Sequence, residues 1–145
     1  TRYQAAIVRD HRILLIWYEP IDRDGFWVIP GGGREDETEE ECVIREVREE
    51  TNLDVLVERL ILEESPEHEN AMYVRRKTYL CSPVGGEASP GVEPEPEAAS
   101  LGSITRVHWF DLCDTATWSD DLTQDPITYP QLAKIRSALG YLPLK

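Results

Sequence analysis

Cysteine is scarce in this chain, which has only three among its 145 residues. Cys42, Cys81 and Cys113 are widely spaced and odd in number, and no two of them form a Cys-x-x-Cys pair. This pattern indicates neither a disulfide framework nor a zinc site. Reduced thiols are typical of cytoplasmic proteins, so we expect the protein to be cytoplasmic.

Long apolar runs and an excess of positive charge are also missing. No apolar stretch approaches the ~18 residues that a membrane helix needs, and no signal-peptide pattern is present, so we expect neither a membrane span nor export. The formal net charge is −13. Nucleic acid polymers and anionic membranes would repel such a chain, so we expect it to bind neither of them.

The apolar residues that are present suffice for one ordinary domain. They make up 41% of the chain, and we treat residues 1–145 as a single domain with one core. Apolar runs predict strands at 3–8, 13–18, 26–29, 53–62 (a strand or a strand-turn-strand), 72–83 and 104–110. Residues 65–70 and 85–103 are expected to be loops, and 129–139 a helix that ends at Gly140. This order of elements is typical of an α+β domain.

A second helix is predicted from Thr38 to Thr51. Thr38 and Glu41 have the spacing of a capping box, which marks a helix start. Val43 and Val47, together with Ile44, would face the core.

Three carboxylates lie along one stripe of this helix, because positions three and four apart stand over one another. They belong to Glu46, Glu49 and Glu50. Hard divalent cations prefer oxygen ligands, and a carboxylate cluster of this kind is how Mg²⁺ or Mn²⁺ is usually held beside an anionic substrate. From composition alone, a solvated acidic surface would be the commoner explanation.

The spacing around this stripe resembles the Nudix box, Gly-x5-Glu-x7-Arg-Glu-apolar-x-Glu-Glu-x-Gly-apolar. The chain supplies the fixed residues in register: Gly31, Glu37, Arg45, Glu46, Val47, Glu49, Glu50 and Leu53. Asn52 stands where the family has glycine, and asparagine tolerates the left-handed conformation of a helix cap better than most residues. The apolar segment 27–30 before the box also resembles the family. On this resemblance we expect a Nudix-like α/β/α sandwich with a mixed sheet between helices.

The resemblance also implies roles for the residues of the box. Glu49 and Glu50 would be metal ligands, and Glu46 a ligand first and a catalytic base second. Arg45 would orient the glutamates, and Glu37 would have a structural or outer-shell role.

The glycine-rich turn at 31–33 would allow the backbone to approach phosphate closely. We therefore assign Gly31 to the metal site and Gly32 to substrate binding. Magnesium is the expected cofactor, and manganese could replace it.

Outside the box the sequence offers weaker candidates. Arg75 and Lys77 share one strand face and could bind substrate phosphates, although plain pairing with acidic neighbours is equally consistent. Some relatives add a carboxylate from a later loop, and Glu97 is our candidate for it. Ser103 occupies the position before the last predicted strand where many relatives have an acid. A solvated loop of glutamates is the alternative.

Two functions follow from these observations. The first is a metal-dependent hydrolase that uses water to cleave the phosphoanhydride bond of a nucleoside diphosphate linked to another group, such as a nucleoside triphosphate or a nucleotide sugar. The second is a non-catalytic nucleotide-binding or regulatory module on the same fold. In both cases the partner is a small nucleotide-like molecule, and the resemblance implies a monomer or a homodimer.

Overall fold

The computed structural model describes residues 1–65 and 75–143. Within them, the chain forms seven strands and four helices, and four of the strands precede the first helix. The strands are β1 (Arg2–Arg9), β2 (Arg12–Pro20), β3 (Phe26–Val28), β4 (Gly31–Gly33), β5 (Asp54–Glu64), β6 (Arg76–Gly85) and β7 (Gly102–Asp111). The helices are α1 (Glu39–Thr51), α2 (Pro96–Ala99), α3 (Asp120–Thr123) and α4 (Thr128–Ala138), with a 3₁₀ turn at Thr115–Thr117.

The strands form one mixed sheet in the order β3-β2-β1-β6-β5, with β4 paired to β1 and β7 paired to β2. Strand β1 is parallel to β6 and antiparallel to β2 and β4. Its pairing with β2 involves only its last two residues, whereas β4 and β6 pair along its first part. Strand β1 therefore joins the two halves of the sheet.

Helices cover both faces of the sheet, and each face has its own apolar core. On one face, Val43 and Val47 of α1 pack with β1 residues such as Ala5 and Ile7. On the other face, Leu132 of α4 joins residues of α3, β2 and β7. These layers confirm the expected α/β/α sandwich of the α+β class.

Most of the predicted elements are confirmed, with small changes at their ends. The segment predicted at 53–62 forms a single strand, β5, and the predicted loop 85–103 contains α2. The part of the predicted strand at 72–74 and the loop at 66–70 lie outside the described residues. Within the part of the chain that the structure describes, no helix is long and apolar enough to cross a membrane.

The prediction of a turn at residues 31–33 is wrong, because these residues form strand β4 on the edge of β1. The Cβ atom that an alanine would add at Gly31 would lie 2.3 Å from the carbonyl oxygen of Tyr3. Glycine has little intrinsic strand preference. Here it is required because the two backbones approach more closely than any side chain would allow.

Candidate active site

Helix α1 carries the acidic stripe, and local interactions determine both of its ends. The Thr38 side chain accepts a hydrogen bond from the Glu41 N–H, and the Glu41 side chain accepts one from the Thr38 N–H. Asn52 ends the helix with φ of 61°, in the left-handed region. The predicted cap and stop are therefore confirmed.

Two of the box carboxylates pack against the glycine strand β4. The backbone N–H of Gly31 donates to Glu50 Oε1 at 2.8 Å. A Cβ atom at Gly32 would lie 2.5 Å from the Glu46 carboxylate, so that carboxylate lies directly against the glycine Cα. Only glycines allow the acidic groups of α1 to approach the neighbouring strand so closely.

Arg45 connects the remaining acidic groups of the box. Its guanidinium Nη2 donates to Glu37 Oε2 at 2.7 Å and to the Gly33 carbonyl at 3.2 Å. The Nη1 atom lies 3.0 Å from Glu46 Oε1 and 3.3 Å from both carboxylate oxygens of Glu49. One nitrogen thus bridges two of the expected metal ligands, and the planar fork of arginine suits this geometry.

The electrostatic environment gives these carboxylates different pKa values. The hydrogen bonds from Arg45 lower the pKa of Glu37 to about 2. Burial raises the pKa of Glu50 to about 8, with a further rise from the charge of Glu46. Burial and the neighbouring Glu49 also raise the pKa of Glu46, against the opposing effect of Arg45. The negative charges of these buried acids repel one another, and a bound cation would reduce that repulsion.

Arg2 is a contributor to this site that the sequence analysis missed. Its positive charge lowers the pKa of both Glu46 and Glu50, and its guanidinium donates to the Ile29 carbonyl at 2.7 Å. No motif marks Arg2, because only the pairing of β1 with β4 brings it to α1.

The donor set fits a hard divalent cation, since Glu46, Glu49 and Glu50 offer only oxygen atoms. In residues 1–65 and 75–143, no three acidic, histidine or cysteine side chains stand close enough together to ligate one ion. Glu46 and Glu49 face a shared arginine nitrogen, whereas Glu50 faces the Gly31 N–H. To hold a cation, Glu46 and Glu49 would therefore have to give up contacts that they make with Arg45 in this structure.

The two candidate phosphate-binding cations are both paired with acids. Arg75 lies 2.7 Å from Glu63, and both side chains are exposed. Lys77 donates to Glu39 at 3.0 Å, near the start of α1, and Tyr79 donates to the same carboxylate at 2.7 Å. For Arg75, the contact with Glu63 agrees with the alternative that it pairs with an acidic neighbour. Substrate binding by Arg75 and Lys77 stays a prediction.

The later loop places a different glutamate near the box from the one we expected. Glu97 lies exposed on α2, and Ser100 donates a hydrogen bond to its backbone carbonyl. Glu93 lines the same cavity as Glu50, and its charge contributes to the raised pKa of Glu50. Glu93 is therefore a second candidate for the additional carboxylate, and the role of Glu97 stays a prediction. Sequence spacing alone could not distinguish between the glutamates of this loop.

The cavity beside Glu50 has a volume of about 290 Å³. Its walls come from α1, β2, the loop after β6, α2 and β7. The lining residues are Tyr18, Glu50, Gly91, Val92, Glu93, Ala98, Ala99, Leu101, Gly102, Ser103 and Ile104. The volume lies near the lower limit of about 300 Å³ for small-molecule sites. It suits one base or one sugar, with an acidic group at one end.

Known proteins share both the sequence pattern and the fold. A protein of Methanocaldococcus jannaschii named ADP-ribose pyrophosphatase is 36% identical over 104 residues, which are 70% of this chain and 62% of the relative. The chain thus matches about three fifths of that relative's length. The structure of an ADP-ribose pyrophosphatase from Streptococcus suis has a TM-score of 0.67 and 28% identity, and covers 99% of this chain and 94% of its own.

A Nudix hydrolase structure from Nitrosomonas europaea has a TM-score of 0.70 at 21% identity, covering 99% of this chain and 91% of its own. At this identity the likeness concerns the fold alone. The model of the NUDIX domain matches residues 2–129. Together with the box and the sandwich fold, this match shows that the chain belongs to the Nudix family.

Proposed function

We propose that this protein is a metal-dependent pyrophosphohydrolase that cleaves the phosphoanhydride bond of a nucleoside diphosphate linked to another group. The observation that carries the proposal is the packing of Glu46 and Glu50 against β4, with Arg45 joining Glu37, Glu46 and Glu49. A non-catalytic binding module would have no need to keep this complete set of charged groups in contact.

A nucleotide sugar of the ADP-ribose type is the first substrate to test. The archaeal relative and the streptococcal structure are both named ADP-ribose pyrophosphatase. The cavity beside Glu50 supports this choice, because it can take one of the two groups that flank a diphosphate. Tyr18 lines the cavity and offers an aromatic ring for a base or a sugar to pack against.

The residues of the site have distinct roles in this proposal. Glu46, Glu49 and Glu50 would hold Mg²⁺ or Mn²⁺, which would neutralise phosphate oxygens and lower the pKa of a bound water. Arg45 orients Glu46 and Glu49 and anchors them to Glu37. Glu46 is also the candidate base, since burial raises its pKa and makes its carboxylate a stronger proton acceptor.

Three further residues support the reaction without belonging to this central set. The Gly31 N–H fixes one oxygen of Glu50. Gly32 lets the Glu46 carboxylate lie against β4, and we retain Gly32 as a candidate for substrate binding. Glu93 is a candidate for the additional carboxylate. The proposed setting is cytoplasmic, and the proposed assembly is a monomer or a homodimer.

A turnover screen tests the function directly. ADP-ribose, sugar nucleotides, nucleoside triphosphates and dinucleoside polyphosphates would be incubated with and without MgCl₂, and phosphorylated products would be separated. We expect hydrolysis only with metal, and a loss of at least ~100-fold in Glu50→Gln because a ligand is removed. The matched control is Glu58→Gln, an exposed glutamate of β5.

Each outcome separates the two candidate functions. Unchanged turnover in Glu50→Gln would refute the metal role of Glu50. Tight binding of ADP-ribose without hydrolysis of any substrate in the panel would instead favour the regulatory module.

A further inference from the structure

Asn52 occupies the one fixed position at which this chain departs from the Nudix box, and it has a second role beyond ending α1. Its backbone N–H donates to the Arg48 carbonyl at 3.1 Å, as a helix cap requires. Glycine would satisfy that requirement with less strain. The side chain that asparagine adds must therefore be explained by its own contacts.

The Asn52 amide reaches the loop that follows β6. Its Nδ2 atom lies 2.9 Å from Ser89 Oγ, 3.3 Å from the Ser89 carbonyl and 3.2 Å from the Pro90 carbonyl. An amide nitrogen carries two hydrogens, so it can serve two of these three acceptors at once. A glycine at this position could make none of these contacts.

Backbone contacts continue the same attachment along the end of α1. The Ser89 N–H donates to the Thr51 carbonyl at 2.9 Å, and the Gly91 N–H donates to the Glu50 carbonyl at 3.0 Å. A Cβ atom at Gly91 would lie 1.7 Å from the Glu49 carbonyl oxygen. The loop therefore lies directly on the last turn of the helix that carries the box.

This attached loop continues into one wall of the cavity beside Glu50. Gly91, Val92 and Glu93 line that cavity, and they begin one residue after the Pro90 carbonyl that Asn52 contacts. Any movement of the loop away from α1 would widen the cavity and withdraw Glu93 from Glu50. The cavity wall is thus continuous with the segment that the Asn52 side chain contacts outside the cavity.

We propose that Asn52 is a positioning residue that holds the 89–93 loop against the end of α1 and thereby sets the cavity for the group joined to the substrate diphosphate. The proposal rests on the proposed function for the identity of that group. Asn52 does not touch the reacting atoms. It acts through Ser89 and Pro90.

Asn52→Gly is the decisive variant, because glycine keeps the left-handed cap and removes only the side-chain contacts. We expect the melting temperature to stay close to that of the wild type, since glycine is the preferred residue at this φ. Hydrogen exchange of the Ser89 and Gly91 amides should become about tenfold faster. With ADP-ribose and MgCl₂, KM should rise about three- to tenfold while kcat is retained, as expected for lost uniform binding.

Two further variants should change amide exchange and KM by different amounts. Asn52→Asp is similar in size but has no N–H to donate, and its carboxylate would face carbonyl oxygens, so its effects on exchange and KM should be at least as large. Ser89→Ala removes only one of the three acceptors and should give a smaller effect. Wild-type exchange rates and KM in both Asn52→Gly and Asn52→Asp would overturn the proposal.

The exchange measurement does not depend on turnover. If no substrate in the panel is hydrolysed by the wild type, the proposed function fails, but faster exchange in Asn52→Gly still shows that the side chain holds the loop. If kcat and melting temperature fall together while the two amides keep their protection, Asn52 has only a general structural role and the proposal is wrong.

Discussion

Among individual residues, Glu50 is an acid that is buried in the fold and is also expected to bind a cation in its ionised form. It is packed beside another acid, and burial raises its pKa to about 8 from an ordinary value of 4.5. The charge of Arg2 and the Gly31 N–H oppose that rise. Without a bound cation, an ionised Glu50 therefore destabilises the fold that contains it.

This conflict predicts a pH-dependent stability in the metal-free protein. The folded state binds more protons than the unfolded state between about pH 4.5 and pH 8. The stabilisation is complete below the unfolded pKa and is lost as pH rises through the folded pKa. Glu50→Gln removes this dependence, so its free energy of unfolding should exceed that of the wild type by on the order of 1–3 kcal/mol at about pH 8, and by much less near pH 5.

Urea denaturation in the presence of a chelator measures this difference at each pH. Glu58→Gln serves as the matched control and should show a small, pH-independent change. A constant difference between Glu50→Gln and the wild type across the range would show that Glu50 is not protonated in the folded protein at neutral pH.

Among the secondary-structure elements, β4 contributes most to the site relative to its length. Its three glycines each contact a different box residue, through the Gly31 N–H, the Gly32 Cα and the Gly33 carbonyl. The same strand pairs with β1 on its other side. A side chain on β4 would therefore disturb the sheet and the acidic cluster together.

Gly31→Ala should consequently be destabilising by about 1–3 kcal/mol, because the added methyl group would overlap the Tyr3 carbonyl. Gly85→Ala is the matched control, since its Cβ would make ordinary contact with Asp54 at 3.5 Å. Thermal or urea unfolding of both variants gives the comparison. Equal stabilities for the two variants would contradict the close pairing of β4 with β1.

The elements also show which parts of the fold the sequence can predict. Both ends of α1 follow from neighbouring residues, Thr38 with Glu41 at the start and Asn52 at the end, so they are predictable. Strand β4 is not, because glycine favours turns and only its partner β1 makes it a strand. The approach of Arg2 to the box, and the attachment of the 89–91 loop to α1, depend on contacts between residues far apart in sequence.

For the molecule as a whole, the formal net charge of −13 means that a bound cation would reduce charge repulsion in the folded state. A metal that binds only the folded state stabilises it by RT ln(1 + [L]/Kd), which is about 2.7 kcal/mol at roughly a hundredfold excess over Kd. We therefore expect MgCl₂ to raise the melting temperature by several degrees. Sodium chloride at the same ionic strength should raise it less, since it only screens the charges.

Differential scanning calorimetry distinguishes these two contributions. The magnesium-specific increase should disappear in Glu46→Gln and Glu50→Gln, while the sodium chloride effect remains in both. An equal response of the wild type to the two salts would argue against a specific divalent site on this protein.

The parallel pairing of β1 with β6 has a consequence for how the protein reaches its working form. Arg2 lies opposite Arg76, so two segments more than seventy positions apart must meet before this part of the sheet exists. Such distant pairing makes assembly slow. Strand β4 pairs with the same β1 residues, so the acidic site should form among the last features of the folding reaction. Partial separation of β1 from β6 should therefore disrupt the proposed site before the helices unfold.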